Sequence, residues 1–294
     1  MTDRLLSFLV AGLSAGSLYA LVALGLVLVH RSMRVLNFAH GELATLGTFV
    51  AFELASRGHS FAAALAGGAL ASAAVAVAFF YAVLVPAQRR GASPLALLIL
   101  TLGLAQVLHA FVLWRWRAEP ERFPFPIAET ASRRLGPLLV SDLSLASLAV
   151  GLLGAFLLYL VVQHTRFGLA LRALSENVSA AQTLGIPTRR LLASAWALAA
   201  FLAVVAGVFL AAQVLLDPFF MLDPFLKGFA AATLGGLNSL PGALVGGLLL
   251  GAAEAATGAA LGLEFKNSLA FVVIVLVLLV RPEGLLGRKL EERV

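Results

Sequence analysis

Apolar stretches long enough to cross a lipid bilayer recur along this chain from end to end. A hydrocarbon core about 30 Å thick takes roughly 20 residues of helix at 1.5 Å per residue. Eight such segments are expected: about Leu5–Val29, Asn37–Leu54, Phe61–Val85, Leu95–Leu113, Leu145–Gln163, Leu191–Leu216, Phe225–Leu237 with Pro241–Leu263, and Ser268–Val280. Splitting the seventh gives nine. The predicted fold is all-α, a polytopic transmembrane helical bundle with about eight or nine membrane segments, one of them short or interrupted. It occupies residues 1–294 as a single transmembrane domain.

Charge and composition bound the function. Of the 294 residues 61% are hydrophobic and only 12% charged, too few charges for a soluble domain of this size. The net charge of +6 does not point to nucleic acid, because the arginines sit in short loops at span ends. Cysteine is absent, which excludes disulfides, thiolate catalysis and cysteine metal sites. Leu5–Val29 is too long for the apolar part of a cleavable signal and reads as a retained first span. Positive loops orient the chain. HRSMR with Arg31 and Arg34, PAQRRGASP with Arg89 and Arg90, the stretch Arg166–Arg190 and the tail RPEGLLGRKLEERV then face the cytosol. Ala55–Ser60, Asp217–Pro224 and the longer Trp114–Asp142 face outside. The last carries five arginines against the rule, with Glu119, Glu121, Glu129 and Asp142 beside them. This puts the N-terminus outside and the C-terminus in the cytosol.

Arg166–Arg190, RFGLALRALSENVSAAQTLGIPTRR, is a polar island among the spans. Phe167, Leu171, Leu174, Val178, Ala181 and Leu184 keep spacings of four and three, which predicts one amphipathic helix. Gly185 stops it in the manner of a left-handed C-terminal residue, and Pro187 prevents an immediate restart. Its apolar stripe needs a cover: lipid headgroups, the chain's own spans, or another protein.

Two segments are irregular. Phe225–Leu237 is short of a full crossing, contains Gly228, Gly235 and Gly236, and runs into Asn238-Ser239-Leu240-Pro241-Gly242. Asn37–Leu54 is also short and opens with Asn37, His40 and Glu42. Short, interrupted segments in both halves point to a translocation pathway, although close packing of small residues explains the glycines equally. Asn37 suits a helix N-cap and Glu42 a helix start, so the same residues serve either reading. His40 and Glu42, two apart, lie on different helix faces, so no metal site is expected. Glu254 stands within a span and is a functional candidate, with a carboxyl kept protonated or bonded to a hydroxyl such as Thr257 as the plain alternative. Gln106, His109 and Gln213 read as interhelical hydrogen-bonding groups, and Trp114 and Trp116 as interfacial anchors. Gly12-Leu13-Ser14-Ala15-Gly16 matches the hydrolase G-x-S-x-G pattern, but inside a membrane helix it is a small-residue packing pair. No phosphate-cradling G-x-x-x-x-G-K-[S/T] is present, and no span carries several charges, which argues against an ion-coupled carrier.

Four stretches together resemble one family: VLNFAHGELATLGTFVAF (Val35–Phe52), the island, GGLNSLPGALVGGLLLGAAE (Gly235–Glu254) and RPEGLLG (Arg281–Gly287). They are similar to the permease subunits of ABC importers for branched-chain amino acids, the Liv-type H subunit, in matching order over nearly the whole chain. The resemblance implies a non-enzymatic permease of the bacterial inner membrane. It implies a second homologous permease, two ATPase subunits and a periplasmic solute-binding protein as partners. ATP is then used by the partner subunits, with no cofactor on this chain. It also implies that the island is a coupling helix for the ATPase, using Phe167, Leu171, Leu174, Glu176, Val178, Ala181 and Gly185. Asn37, His40, Glu42, Gly235, Gly236, Asn238, Pro241, Gly242 and Glu254 are the candidates for the passage. The competing expectation is a stand-alone secondary transporter or channel, whose spans should carry ion-coordinating or proton-relay residues.

Overall fold

The structure is a computed structural model that describes residues 2–127, 131–135, 138–262, 265 and 268–287. Glu129, Leu263 and the end of the basic tail, RKLEERV, lie outside the described residues. Nine apolar helical segments appear among them, in the places the hydropathy predicts. They are α1 (Thr2–Met33), α2 (His40–Ser56), α3 (Phe61–Phe79) continuing through one π-helical turn into α4 (Val85–Arg89), α5 (Pro94–Trp116), α6 (Asp142–His164), α9 (Thr188–Ala211), α10 (Leu222–Gly235), α11 (Leu240–Leu261) and α12 (Ser268–Val280). Six are long and apolar enough to cross a membrane alone; α2, α10 and α12 are shorter. The π turn at Phe80–Leu84 precedes Pro86, which has no N–H for the helical ladder.

α1 and α9 form the buried centre, with Trp196, Phe49 and Leu18 among the largest enclosed side chains. α5, α6 and α12 show rows of exposed Leu, Val and Phe, as helices facing lipid do. The most extensive helix contact is α1 on α11. A Cβ at Gly16 would lie 2.6 Å from the Gly247 carbonyl oxygen, and one at Gly251 would collide with the Gly12 carbonyl. Small residues let these backbones touch, which is where packing in lipid comes from. Gly12–Gly16 thus lies mid-helix in α1, with no strand or sharp turn to make a hydrolase elbow.

The island departs from expectation. It forms two helices, α7 (Arg166–Glu176) and α8 (Val178–Thr183), instead of one. Asn177 breaks them: its backbone is extended, and its side-chain oxygen accepts the Ala180 N–H at 2.9 Å, capping α8. Gly185 has φ +76°. Its N–H donates to Gln182 and that of Ile186 to Ala181, the Schellman closure that the glycine predicts. Leu171, Leu174 and Ala181 are buried, α7 lying on α6, α1 and α9, while Val178 and Leu184 are exposed. Half of the stripe is therefore covered by the chain's own spans.

A short hairpin, β1 (Ser132–Leu135) with β2 (Leu138–Ser141), leads into α6. Glu121 and Leu216 exchange backbone hydrogen bonds of 2.9 and 2.8 Å, tying this loop to the segment after α9.

Candidate functional site

The chain is not helical between Arg34, which adopts φ +55°, and Ala39. The backbone groups of this break are met by side chains. Thr101 of α5 accepts the Phe38 N–H at 3.1 Å, and its hydroxyl reaches the Leu98 carbonyl at 2.8 Å. Asn37 accepts the Ala39 N–H at 3.1 Å, closing a turn ahead of α2 instead of capping the helix itself. Thr101 lies seven residues beyond Pro94, so α2 begins about 10 Å inside the bundle. His40 is fully buried with its ring against Gly25 of α1, where any Cβ would strike it.

α10 passes beside this break. Phe38 lies 6.2 Å from Phe225 and 6.3 Å from Phe229, ring centre to ring centre, and Gly41 packs directly on Phe225. The start of α2 therefore lies within the bundle against the first half of α10. On the α5 side, Glu42 Oε1 faces His109 Nδ1 at 3.3 Å, and Phe219 stacks on His109 with ring centres 4.6 Å apart.

Behind the aromatic face of α10 lies a charged cluster. Lys227 Nζ is 2.5 Å from Glu254 Oε1 and 2.7 Å from Asp223 Oδ2, and stands 5.5 Å from the centre of the Tyr19 ring. Lys227 and Glu254 are almost wholly buried; Asp223 is half exposed. The cluster is assembled across two helices, Asp223 and Lys227 on α10 and Glu254 on α11, so no single span carries it. The expected bond of Glu254 to Thr257 is not made, since Thr257 donates to the Ala253 carbonyl.

The Gly235–Gly242 turn sits elsewhere, at the end of the bundle that carries the arginines. Leu285 and Leu286 donate to the Leu234 and Gly235 carbonyls at 2.8 and 3.1 Å, and His30 Nδ1 donates to Leu237 at 3.1 Å. Gly236 takes φ +106°, pressed against Glu283 and Gly287, while Gly235 and Gly242 meet face to face. Ser239 caps α11 through the Gly242 N–H, Pro241 follows in its first turn, and Asn238 is half-buried beside them. RPEGLLG thus closes the C-terminal end of α10.

The nine sequence candidates fall into three groups: Asn37, His40 and Glu42 at the break, Gly235 to Gly242 at the clasp, and Glu254 in the charged cluster. Thr101, Asp223, Lys227 and Tyr19 were not among them. The spacing of Asp223 and Lys227, one helical turn apart, was the available signal. Gln213 donates to Ser147, an interhelical bond as expected, whereas Gln106 points outward. Trp114 is exposed and Trp116 packs on Phe49. Among the described residues no group of His, Cys, Asp and Glu is arranged to hold a metal.

A cleft of about 720 Å³ opens at the arginine-bearing end. Arg34, Arg89, Glu176, Asn177, Val178 and Arg189 line it, so two basic loops and the island converge there.

Residues 8–280 match the family model described as branched-chain amino acid transport system/permease component. The chain belongs to this permease family. The high-affinity branched-chain amino acid transport system permease protein BraD of Pseudomonas aeruginosa is 35% identical, over 97% of each chain. LivH of Salmonella typhimurium is 33% identical over the full length of both chains. The probable LivH of Methanocaldococcus jannaschii is 30% identical over 92% of this chain and 89% of that one. Membership makes the chain a multi-pass permease subunit of an ABC importer, not an enzyme. The break, the charged cluster and the Gly235–Gly242 turn fall inside the matched region, and the Arg281–Gly287 side of the clasp lies just beyond it.

Proposed function

We propose that this permease carries branched-chain amino acids, or a closely related small polar metabolite, across the bacterial inner membrane. It pairs with a second, homologous permease, above two ATPase subunits that consume the ATP and below a periplasmic solute-binding protein. The N-terminus lies outside and the C-terminus in the cytosol, with the arginine-lined cleft facing the ATPases. The passage runs along Asn37, His40 and Glu42. The observation that carries this reading is the abutment of two short helices inside the bundle, Phe38 of one meeting Phe225 and Phe229 of the other. A helix that starts inside the bundle turns its first-turn N–H groups toward a solute instead of toward lipid. α7 and α8 couple to the ATPase through the exposed residues Glu176, Val178 and Gly185, while Leu171 and Leu174 anchor α7 to the spans and Ala181 is the buried residue of α8.

Reconstitution of the assembled importer in proteoliposomes tests this. Uptake of L-leucine should require ATP inside the ATPase compartment and loaded binding protein on the other side. Uptake by this chain alone without ATP would instead make it a secondary carrier.

A further inference from the structure

Glu42 stands on the first turn of α2 in a setting that the fold does not need. Its Oε1 is 3.3 Å from His109 Nδ1, long for a charge-assisted bond, and its Oε2 is out of solvent with no donor. A carboxylate oxygen held so away from water is stabilised by any donor that reaches it. The residue as a whole is not sealed: Glu42 is 23% and His109 18% exposed, on an open face of the bundle. Gly41, its neighbour in the chain, packs on Phe225, and Phe38, four residues before Glu42, lies against the Phe225 and Phe229 rings. Phe219 packs against the His109 ring.

We infer that Glu42, oriented by His109, receives the α-ammonium group of the transported amino acid, and that Phe38, Phe225 and Phe229 receive its aliphatic side chain. An ammonium has three donors, enough for the orphan Oε2 without displacing His109 from Oε1. The first-turn N–H groups of α2 lie on the same turn and suit the α-carboxylate. A solute with ammonium, carboxylate and a branched apolar side chain thus finds one partner for each part. The site is half of an enclosure, which a second permease closes. This rests on the import reading above.

The test uses the complete importer in proteoliposomes, with loaded binding protein, radiolabelled L-leucine and parallel measurement of ATP hydrolysis. Glu42→Gln should lower leucine carried per ATP by about tenfold or more, with stimulated hydrolysis kept within about twofold. Glu42→Asp should recover part of the loss. Phe229→Ala, which leaves the charged pair intact, should shift the leucine-to-alanine uptake ratio several-fold toward alanine. An unchanged ratio in Phe229→Ala, or leucine carried per ATP by Glu42→Gln within about twofold of the parent, overturns the inference. Absence of leucine uptake by the parent importer would overturn the import reading itself, a separate result from variant uptake equal to the parent's.

Discussion

Lys227 of α10 and Glu254 of α11 form an ion pair 2.5 Å long with both side chains almost entirely enclosed. Asp223 reaches the same ammonium from a half-exposed position, and the Tyr19 ring lies beside it. Buried charges are tolerated only when paired, and losing one partner costs about 3–5 kcal/mol because the other is stranded. Lys227→Met should therefore lower the melting temperature of the purified permease sharply. Replacing both partners by apolar groups of similar volume removes the stranded charge, so Lys227→Met with Glu254→Met should restore most of the loss. Thermal unfolding followed by size-exclusion chromatography in detergent reads both. If the double variant also transports, the pair holds α10 against α11 without meeting the solute. A folded double variant that fails to transport would move Glu254 onto the passage.

Thr101 decides whether the break before α2 is stable. Its hydroxyl is the acceptor for the Phe38 N–H, in surroundings with little water. Valine has the same shape and no acceptor. Thr101→Val should cost about 1–3 kcal/mol, the usual penalty for an unmet buried polar group. The measurement is unfolding of the purified protein, and Thr101→Ser should be close to neutral. Equal stability of Thr101→Val would mean that water, not Thr101, serves the break.

The crossing of α1 and α11 should be intolerant of any side chain at Gly251. A Cβ there runs into the Gly12 carbonyl and the Gly16 backbone, and neither is the end of a flexible side chain. Overpacking of this kind costs about 1–3 kcal/mol when helices can shift, more when they cannot. Gly251→Ala should reduce yield and melting temperature, and Gly251→Leu should abolish folded protein. Gly103 on α5 has open space around it and is the control, where alanine should be tolerated.

The helices were legible because lipid forces a simple rule: long apolar runs, each satisfying its own backbone. Gly12 and Gly16 announced a close crossing for the same reason, since four-residue spacing of small side chains is a helix face. What sequence could not give was partner identity across the bundle. Glu42 was visible as a polar residue near a helix start, but His109 is 67 positions away and only the fold sets them together. Lys227 was hidden in the same way, a single lysine on a short helix until Glu254 appears opposite it. The clasp formed by Arg281–Gly287 was present as a motif with no local clue that its N–H groups would meet α10. The island failed for a different reason. Apolar spacing ran through Asn177, yet an Asn side chain competes for backbone N–H groups and can start a new helix where periodicity alone continues the old one.

Asn177 gives the sharpest test of how the island works. Its side chain caps α8 through Ala180, and its extended backbone sets the angle between α7, which is anchored on the spans, and α8, whose Val178 is exposed beside the arginine-lined cleft. Asn177→Ala removes a cap worth about 1 kcal/mol and leaves a residue that favours continuous helix. α7 and α8 should then tend to fuse, swinging Val178 and the Schellman turn at Gly185 away from the cleft. The permease core should be untouched, because Leu171 and Leu174 keep α7 in place. The expected result is normal melting temperature and normal leucine binding by the binding protein, with ATP hydrolysis no longer stimulated and uptake reduced. Asn177→Asp and Asn177→Ser, which cap as asparagine does, should retain stimulation. Distances between spin labels at Arg166 and Thr183 would report fusion directly, and unchanged distances with lost stimulation would assign Asn177 a direct contact with the ATPase instead of a hinge.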